Sequence, residues 1–140
     1  MNTKKVNTRE ELEHAYKVRM KVFVEEQNVP PEEELDEHDA SATHFVTYDN
    51  NNPIAASRLR FVDEYGKLER ICVIKDYRGK SYGKQIIIEM EKVITEKGYK
   101  NAKLNAQTHA EEFYKKLGYE TVSGEFLDAG IPHVTMIKKL

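Results

Sequence analysis

Val73-Ile74-Lys75-Asp76-Tyr77-Arg78-Gly79-Lys80-Ser81-Tyr82-Gly83-Lys84 decides the fold, because it passes from an apolar strand pattern directly into a helical one. Residues 67–74 read as a strand. Downstream, Tyr82, Ile86, Ile87, Met90, Val93 and Ile94 fall on one side of a helix over 81–97, which Gly98 ends in a left-handed cap. A strand that feeds a helix through a glycine-containing turn offers free first-turn amides at the positive end of a helix dipole, where anions bind. Lys80 and Lys84 add charge, so residues 78–84 read as a phosphate cradle. The embedded Gly79-Lys80-Ser81 is not a nucleotide P-loop, since that motif needs glycine at position 74, which is Ile.

Working outward, Thr8-Arg9-Glu10-Glu11 is a capping box. Leu12, Ala15, Tyr16, Arg19 and Phe23 follow at three- and four-residue intervals and predict a helix to about Val24, with a break allowed along it. The prolines and like charges of Pro30-Pro31-Glu32-Glu33-Glu34-Leu35-Asp36-Glu37-His38-Asp39 predict an exposed loop. Residues 44–48 and 54–61 read as antiparallel strands joined by an asparagine-rich turn, and a second turn at 63–66 leads into 67–74. A short strand at 103–106, a helix at 110–117 stopped by Gly118, and a closing strand at 133–138 complete the pattern. The order, roughly βαβββαβαββ, predicts an α/β (α+β) fold with a mixed sheet and helices on its faces.

At 140 residues, 33% charged and 39% apolar, the chain has the size of one domain spanning 1–140. A net charge of -2 gives no field to hold nucleic acid or an anionic membrane. The sole cysteine, Cys72, excludes an internal disulfide and suits a reducing compartment. Apolar runs such as Ile86-Ile87-Ile88 are too short to span a bilayer, and residues 1–5 lead into no signal-type stretch, so a cytoplasmic location is expected. His38 and His44 with Asp36 and Asp39 have ligand-type side chains, but their irregular spacing fits a solvated turn, and no metal is expected. Cys72, among Ile71, Val73 and Ile74, reads as a packed residue in preference to a nucleophile.

Five segments carry a family resemblance, two to a superfamily and three to one branch of it. Arg78-Gly79-Lys80-Ser81-Tyr82-Gly83 resembles the Arg/Gln-x-x-Gly-x-Gly/Ala pyrophosphate loop of the GNAT superfamily of N-acetyltransferases, with Ser81 where the first small residue is usually Gly. Ala110-Glu111-Glu112-Phe113-Tyr114-Lys115-Lys116-Leu117-Gly118-Tyr119 is similar to its Ala-x-x-Phe-Tyr-x-Lys-x-Gly-Phe segment. Arg19 with residues 22–30, then Ala106-Gln107-Thr108-His109, and Gly130-Ile131-Pro132-His133-Val134-Thr135-Met136 resemble the ElaA/YjcF-like branch. The resemblance covers essentially the whole chain.

That resemblance implies a mostly antiparallel sheet whose central parallel strand pair splays around acetyl-CoA. It implies transfer of an acetyl group directly to a primary amine, with an amino sugar, polyamine or amino acid derivative admissible as acceptor. By the same analogy, residues 78–84 hold the pyrophosphate, the backbone near Cys72 and Val73 meets the pantetheine and thioester, and Gln107 contacts the cofactor. Tyr114 matches the tyrosine that protonates the departing thiolate. Glu69, on the central strand, and His133 are candidate bases, beside a water relay; histidine is intrinsically better matched to neutral pH than a carboxylate. Arg19, Glu26, Arg70 and His109 are candidate acceptor contacts, an arginine suiting a carboxylate or phosphate and Glu26 an ammonium. The alternatives are a regulatory module that holds CoA esters without efficient transfer and an enzyme that acetylates proteins. An exposed final strand would allow a homodimer.

Overall fold

Alternation along the strands and three-to-four spacing along the helices sort the apolar residues into two layers, one on each face of a sheet. In the computed structural model, which describes residues 2–140, the elements are β1 (Asn2–Lys5), α1 (Arg9–Arg19), α2 (Pro31–Glu34), β2 (Thr43–Asp49), β3 (Asn52–Val62), β4 (Tyr65–Val73), α3 (Tyr82–Glu96), β5 (Asn101–Gln107), α4 (Glu111–Lys116), β6 (Glu120–Thr121), β7 (Phe126–Asp128) and β8 (Ile131–Lys139). The sheet order is β1-β2-β3-β4-β5-β8-β6, with β7 also on β8. Among these neighbours β4 and β5 run parallel and the others antiparallel.

On one face, Ile86, Ile87, Met90 and Ile94 of α3 pack against Phe45, Leu59, Leu68, Leu104 and Met136, with Tyr114 and Leu117 joining from the α4 side. On the other, Ala15 and Val18 of α1 with Val22 cover Val46, Ala56 and Cys72. Phe45 and Val46, adjacent on β2, go to opposite layers, as the two-residue period of a strand requires. Gly66 marks where α3 lies directly on β4, because a Cβ there would collide with the Ile94 side chain. The asparagine-rich hairpin turn is the pair Asn50 and Asn51, both at positive φ, as a two-residue turn matched to strand twist demands.

Three expectations change. The first helix is capped at Thr8 as predicted, with Glu11 returning to the Thr8 amide, but it is α-helical only to Arg19 and then widens into a π-helical segment, Met20–Glu26. Its end is marked by the Gln27 amide donating to the Val22 carbonyl at 3.1 Å. The acidic segment is no exposed loop: it forms α2 and a single 3-10 turn, Glu37–Ala40, and buries Glu34 and Asp39. Burying like charges is tolerated because arginines from distant segments meet them. Finally, β8 is not an exposed edge, since β5 covers one side and β6 and β7 the other. The basis for pairing two subunits through it therefore falls away.

Arg19, with no exposed surface, donates from Nε to Glu34 at 2.8 Å, from Nη1 to Asp39 at 2.7 Å and from Nη2 to the Glu34 carbonyl at 2.8 Å. Buried Arg58 donates to Asp39 at 3.0 Å, Asp36 at 2.8 Å and Glu69 at 2.9 Å. Burial alone would push the Asp39 carboxyl up, but the hydrogen bonds from Arg19, the Asp36 amide and Arg58 outweigh it and hold the carboxyl down at about 2. A carboxyl depressed in the folded state stabilises the fold above its unfolded value of 3.8 and loses that contribution as pH falls toward 2. Asp39→Asn is therefore expected to destabilise the fold by about 3 kcal/mol at neutral pH, since it leaves two buried guanidinium groups short of a partner. Urea unfolding from pH 7 to pH 2 checks this: the variant should show a flatter decline below about pH 4 than the parent, and equal slopes would contradict the assignment.

Candidate active site

The site begins where hydrogen bonding stops. The parallel β4–β5 ladder runs from Tyr65 opposite Asn101 to Leu68 opposite Leu104 and goes no further. Each strand keeps its outer partner beyond that point, β4 pairing β3 as far as Val73 opposite Ala55, and β5 pairing β8 as far as Gln107 opposite His133. The cause lies in β4. Between the pairs Ala56–Cys72 and Arg58–Glu69, Ser57 alone faces both Arg70 and Ile71, a bulge with Arg70 at φ 56°. A bulge bends its strand, here away from β5. An arginine in the left-handed region costs about 1–2 kcal/mol. Its guanidinium bonds the Glu33 and Glu34 carbonyls and Asp36 at 3.2 to 3.3 Å, tying the bulge to the acidic segment.

The parted strands wall a cleft of about 790 Å³ that also receives residues from the π-helical segment, the acidic segment, α4 and the β7–β8 hairpin. Backbone groups of residues 69–73 and 105–107 that turn toward this gap have no partner across it in the sheet. An extended ligand carrying amides can take the place of the missing strand contacts.

At one end of the cleft lies the loop before α3. Gly79 and Ser81 both hold positive φ, at 80° and 66°. Ser81 thus adopts the backbone that glycine adopts without penalty, which explains why Gly is usual there in the motif it resembles. Ser81 is the N-cap yet makes no side-chain cap bond, leaving the first-turn amides of Tyr82, Gly83 and Lys84 open. Gly83 lines the cleft, and a Cβ there would come within 3.5 Å of the Phe113 ring. Lys80, over the Tyr77 ring at 5.7 Å, and Lys84 are exposed beside this loop.

The candidate acid and bases also reach the cleft. Tyr114 lines it from α4, its ring packed at 5.1 Å from Phe113 and 6.0 Å from Tyr119, and its hydroxyl makes no hydrogen bond among the described residues. Desolvation pushes the phenol up to about 12, so it stays protonated and able to donate. His133 lines the cleft as well, stacked on Phe126. Its Nδ1 donates to the Ile131 carbonyl at 2.7 Å, and because a carbonyl only accepts, Nε2 is the nitrogen left to take a proton. Glu69 lines the cleft too but is engaged by Arg58 at 2.9 Å and by Arg60 and Lys67, each at 3.0 Å. Burial raises its carboxyl, yet Arg58 and Lys67 prevail and bring it below the ordinary range, which weakens it as a base.

Cys72 is buried with its thiol pushed up to about 12 by desolvation, and Sγ points to the Ala56 carbonyl at 3.7 Å, as a packed residue would. Among the candidate acceptor contacts, Glu26, Arg70 and His109 line the cleft, whereas Arg19 does not and lies sealed beneath it. Glu34 beside it is held above the ordinary carboxyl range by burial, which its arginine partners offset only in part. Asp36 and Asp39 are spent on arginines, and His44 Nε2 donates to the Asp39 carbonyl at 2.9 Å.

Sequence reasoning missed Gln27. Its side-chain oxygen accepts from Gln107 Nε2 at 2.9 Å, while Gln107 Oε1 accepts from His109 Nε2 at 2.6 Å, forming a bridge across the cleft. It also missed Arg58. An arginine in the middle of an apolar strand demands buried anions, a signal that was readable without showing which carboxylates supply them.

This architecture has known counterparts. Residues 5–140 match the Acetyltransferase (GNAT) domain family. The chain is 52% identical over 130 residues to a Bacillus subtilis protein named as an uncharacterized N-acetyltransferase, YjcF, covering 92% of this chain and 93% of that one. The crystal structure of Escherichia coli ElaA superposes with a TM-score of 0.89 at 25% identity, covering 99% of this chain and 100% of that one. The PaiA N-acetyltransferase of Thermoplasma acidophilum, crystallised in complex with coenzyme A, shares the fold at 18% identity and a TM-score of 0.72 over the full length of both chains. The chain belongs to the GNAT acetyltransferase family, in its ElaA/YjcF-like branch.

Proposed function

We propose that this protein is an acetyl-CoA-dependent N-acetyltransferase that transfers the acetyl group directly to a primary amine of a small molecule. The observation that carries the reading is the alignment of three features in one cleft: the parted β4 and β5 edges, the open first turn of α3, and the unengaged Tyr114 hydroxyl. Pyrophosphate oxygens fit the amides of residues 78–84, and pantetheine amides fit the backbone near Cys72, Val73 and residues 105–107, which is unpaired across the gap between the strands. Coenzyme A in complex with a neighbour of the same fold supports this ligand class.

The chemistry then follows from the residues. An alkylamine with a pKa near about 10.4 must lose a proton before it can attack. His133 Nε2, directly or through water, is the better acceptor of that proton, because Glu69 is held ionised by three cations. The amine nitrogen forms the new bond to the thioester carbonyl carbon, the carbon–sulfur bond breaks and the thiolate takes the proton of the Tyr114 hydroxyl; the second proton that the nitrogen sheds on becoming an amide returns through water to the tyrosine oxygen, and the first leaves His133 to solvent. No acyl-cysteine step is needed. Glu32, Glu33 and Asp128 line the cleft and make no ion pair among the described residues, a charge pattern that favours a cationic acceptor such as a polyamine or amino sugar.

Calorimetry with acetyl-CoA and a thiol-release assay across primary amines test the proposal. Binding with release of free CoA is expected; binding without release for any amine would indicate a CoA-ester-binding module in its place. Tyr114→Phe should lower kcat by about 100-fold and leave acetyl-CoA affinity nearly unchanged; parental turnover would remove the general-acid role. His133→Ala should lower kcat by a comparable factor of about 100 without weakening acetyl-CoA, and an unchanged rate would return His133 to packing. Gly83→Val, which fills the space beside Phe113 and the open amides, should raise the acetyl-CoA Kd by about tenfold or more, and an unaltered Kd would contradict the placement of the pyrophosphate.

A further inference from the structure

Glu26 and Gln27, consecutive residues at the end of the π-helical segment, reach the two arms of the cleft separately. Gln27 accepts from Gln107 on the β5 side. Glu26 takes both ends of the Arg78 guanidinium, Nη1 to Oε2 at 2.7 Å and Nη2 to Oε1 at 2.8 Å, while Arg78 Nε donates to the Val73 carbonyl at 2.9 Å. Each nitrogen of Arg78 thus donates one hydrogen bond in the free protein, and the end of the guanidinium that presents Nη1 and Nη2 in parallel is the one Glu26 holds. Arg78 nevertheless opens the phosphate loop and lines the same cleft as Gly83. Glu26 and Arg78 are 37% and 40% exposed, so the pair is within reach of solvent and of an incoming ligand.

We infer that Glu26 competes with the phosphates of acetyl-CoA for Arg78 and thereby sets the affinity of the cofactor site. This inference rests on the acetyltransferase reading above. A pyrophosphate brought to the amides of 78–84 carries the same bidentate acceptor geometry as a carboxylate, and guanidinium serves either. An exposed ion pair is weak enough to exchange: it contributes well under the energy of a buried one. Exchange of partners moves the guanidinium to the phosphate and leaves the Glu26 carboxylate unpaired on the cleft wall. Lys75, whose charge also acts on Glu26, stays in the loop and is not consumed by the exchange.

Calorimetric titration of four proteins with acetyl-CoA at one fixed moderate salt concentration decides it. Glu26→Gln, which keeps the shape and removes the charge, should tighten acetyl-CoA by about three- to tenfold, because Arg78 is released to the phosphate. Arg78→Gln should weaken binding by a similar factor of about three to ten. The double variant should match Arg78→Gln, since removing the competitor gains nothing once the contested group is gone. If Glu26→Gln binds as the parent does or more weakly, the competition is refuted while the acetyltransferase reading stands. A tightening that persists in the double variant would also refute it, because the gain would not run through Arg78. Failure of the parent to bind acetyl-CoA at all would overturn both readings together.

Discussion

Everything distinctive in this molecule depends on two neighbouring parallel strands ceasing to pair. β4 and β5 pair only as far as Leu68 and Leu104, yet both continue as well-supported strands because each holds its other neighbour. The sheet thereby opens in its middle without unravelling at either margin. Buried backbone donors and acceptors ordinarily find partners, and a gap that leaves them facing one another invites a ligand that can supply the missing bonds. The cleft is a consequence of strand geometry, and the side chains around it refine what enters.

The bulge that bends β4 has to be held, and the charges beneath the cleft hold it. Arg70 sits at positive φ with its guanidinium fastened to the acidic segment, and the same segment is anchored from below by Arg19 and Arg58 through Asp39, Glu34 and Asp36. Glu69, one residue before Arg70, closes the circuit by taking Arg58. A buried arginine–carboxylate network of this kind contributes little net stability compared with apolar packing, but it is intolerant of losing one member. That property suits a framework that must keep one strand bent. It also explains why Arg19, in a segment that resembles a family signature, lies under the site and not in it.

Much of this was legible in the residues. The period change at Val73 to Lys84 locates the strand, the turn and the helix, and the capping box at Thr8 locates the start of α1, because those signals are local and depend on neighbours in sequence. Tyr114, Glu69 and His133, distant in sequence, line one cleft. The burial of Glu34 and Asp39 was not legible. Local composition favours solvent for Pro31 to Asp39, and only the arrival of Arg19 and Arg58 from other elements reverses it. The π-helical segment was equally hidden, since seven residues are too few for apolar spacing to separate a wider turn from an ordinary one. The Gln27–Gln107 bridge spans eighty positions and leaves no local trace.

The most direct test of the central claim is a titration of the isotope-labelled protein with acetyl-CoA followed through its backbone amide resonances. The account predicts that the largest shifts fall in two separated stretches, residues 78–84 at the start of α3 and residues 104–107 at the free end of β5, with those of 71–73 accompanying them. Shifts confined to other surfaces, or none in a folded sample, would contradict the assignment of the parted strands as the acetyl-CoA site.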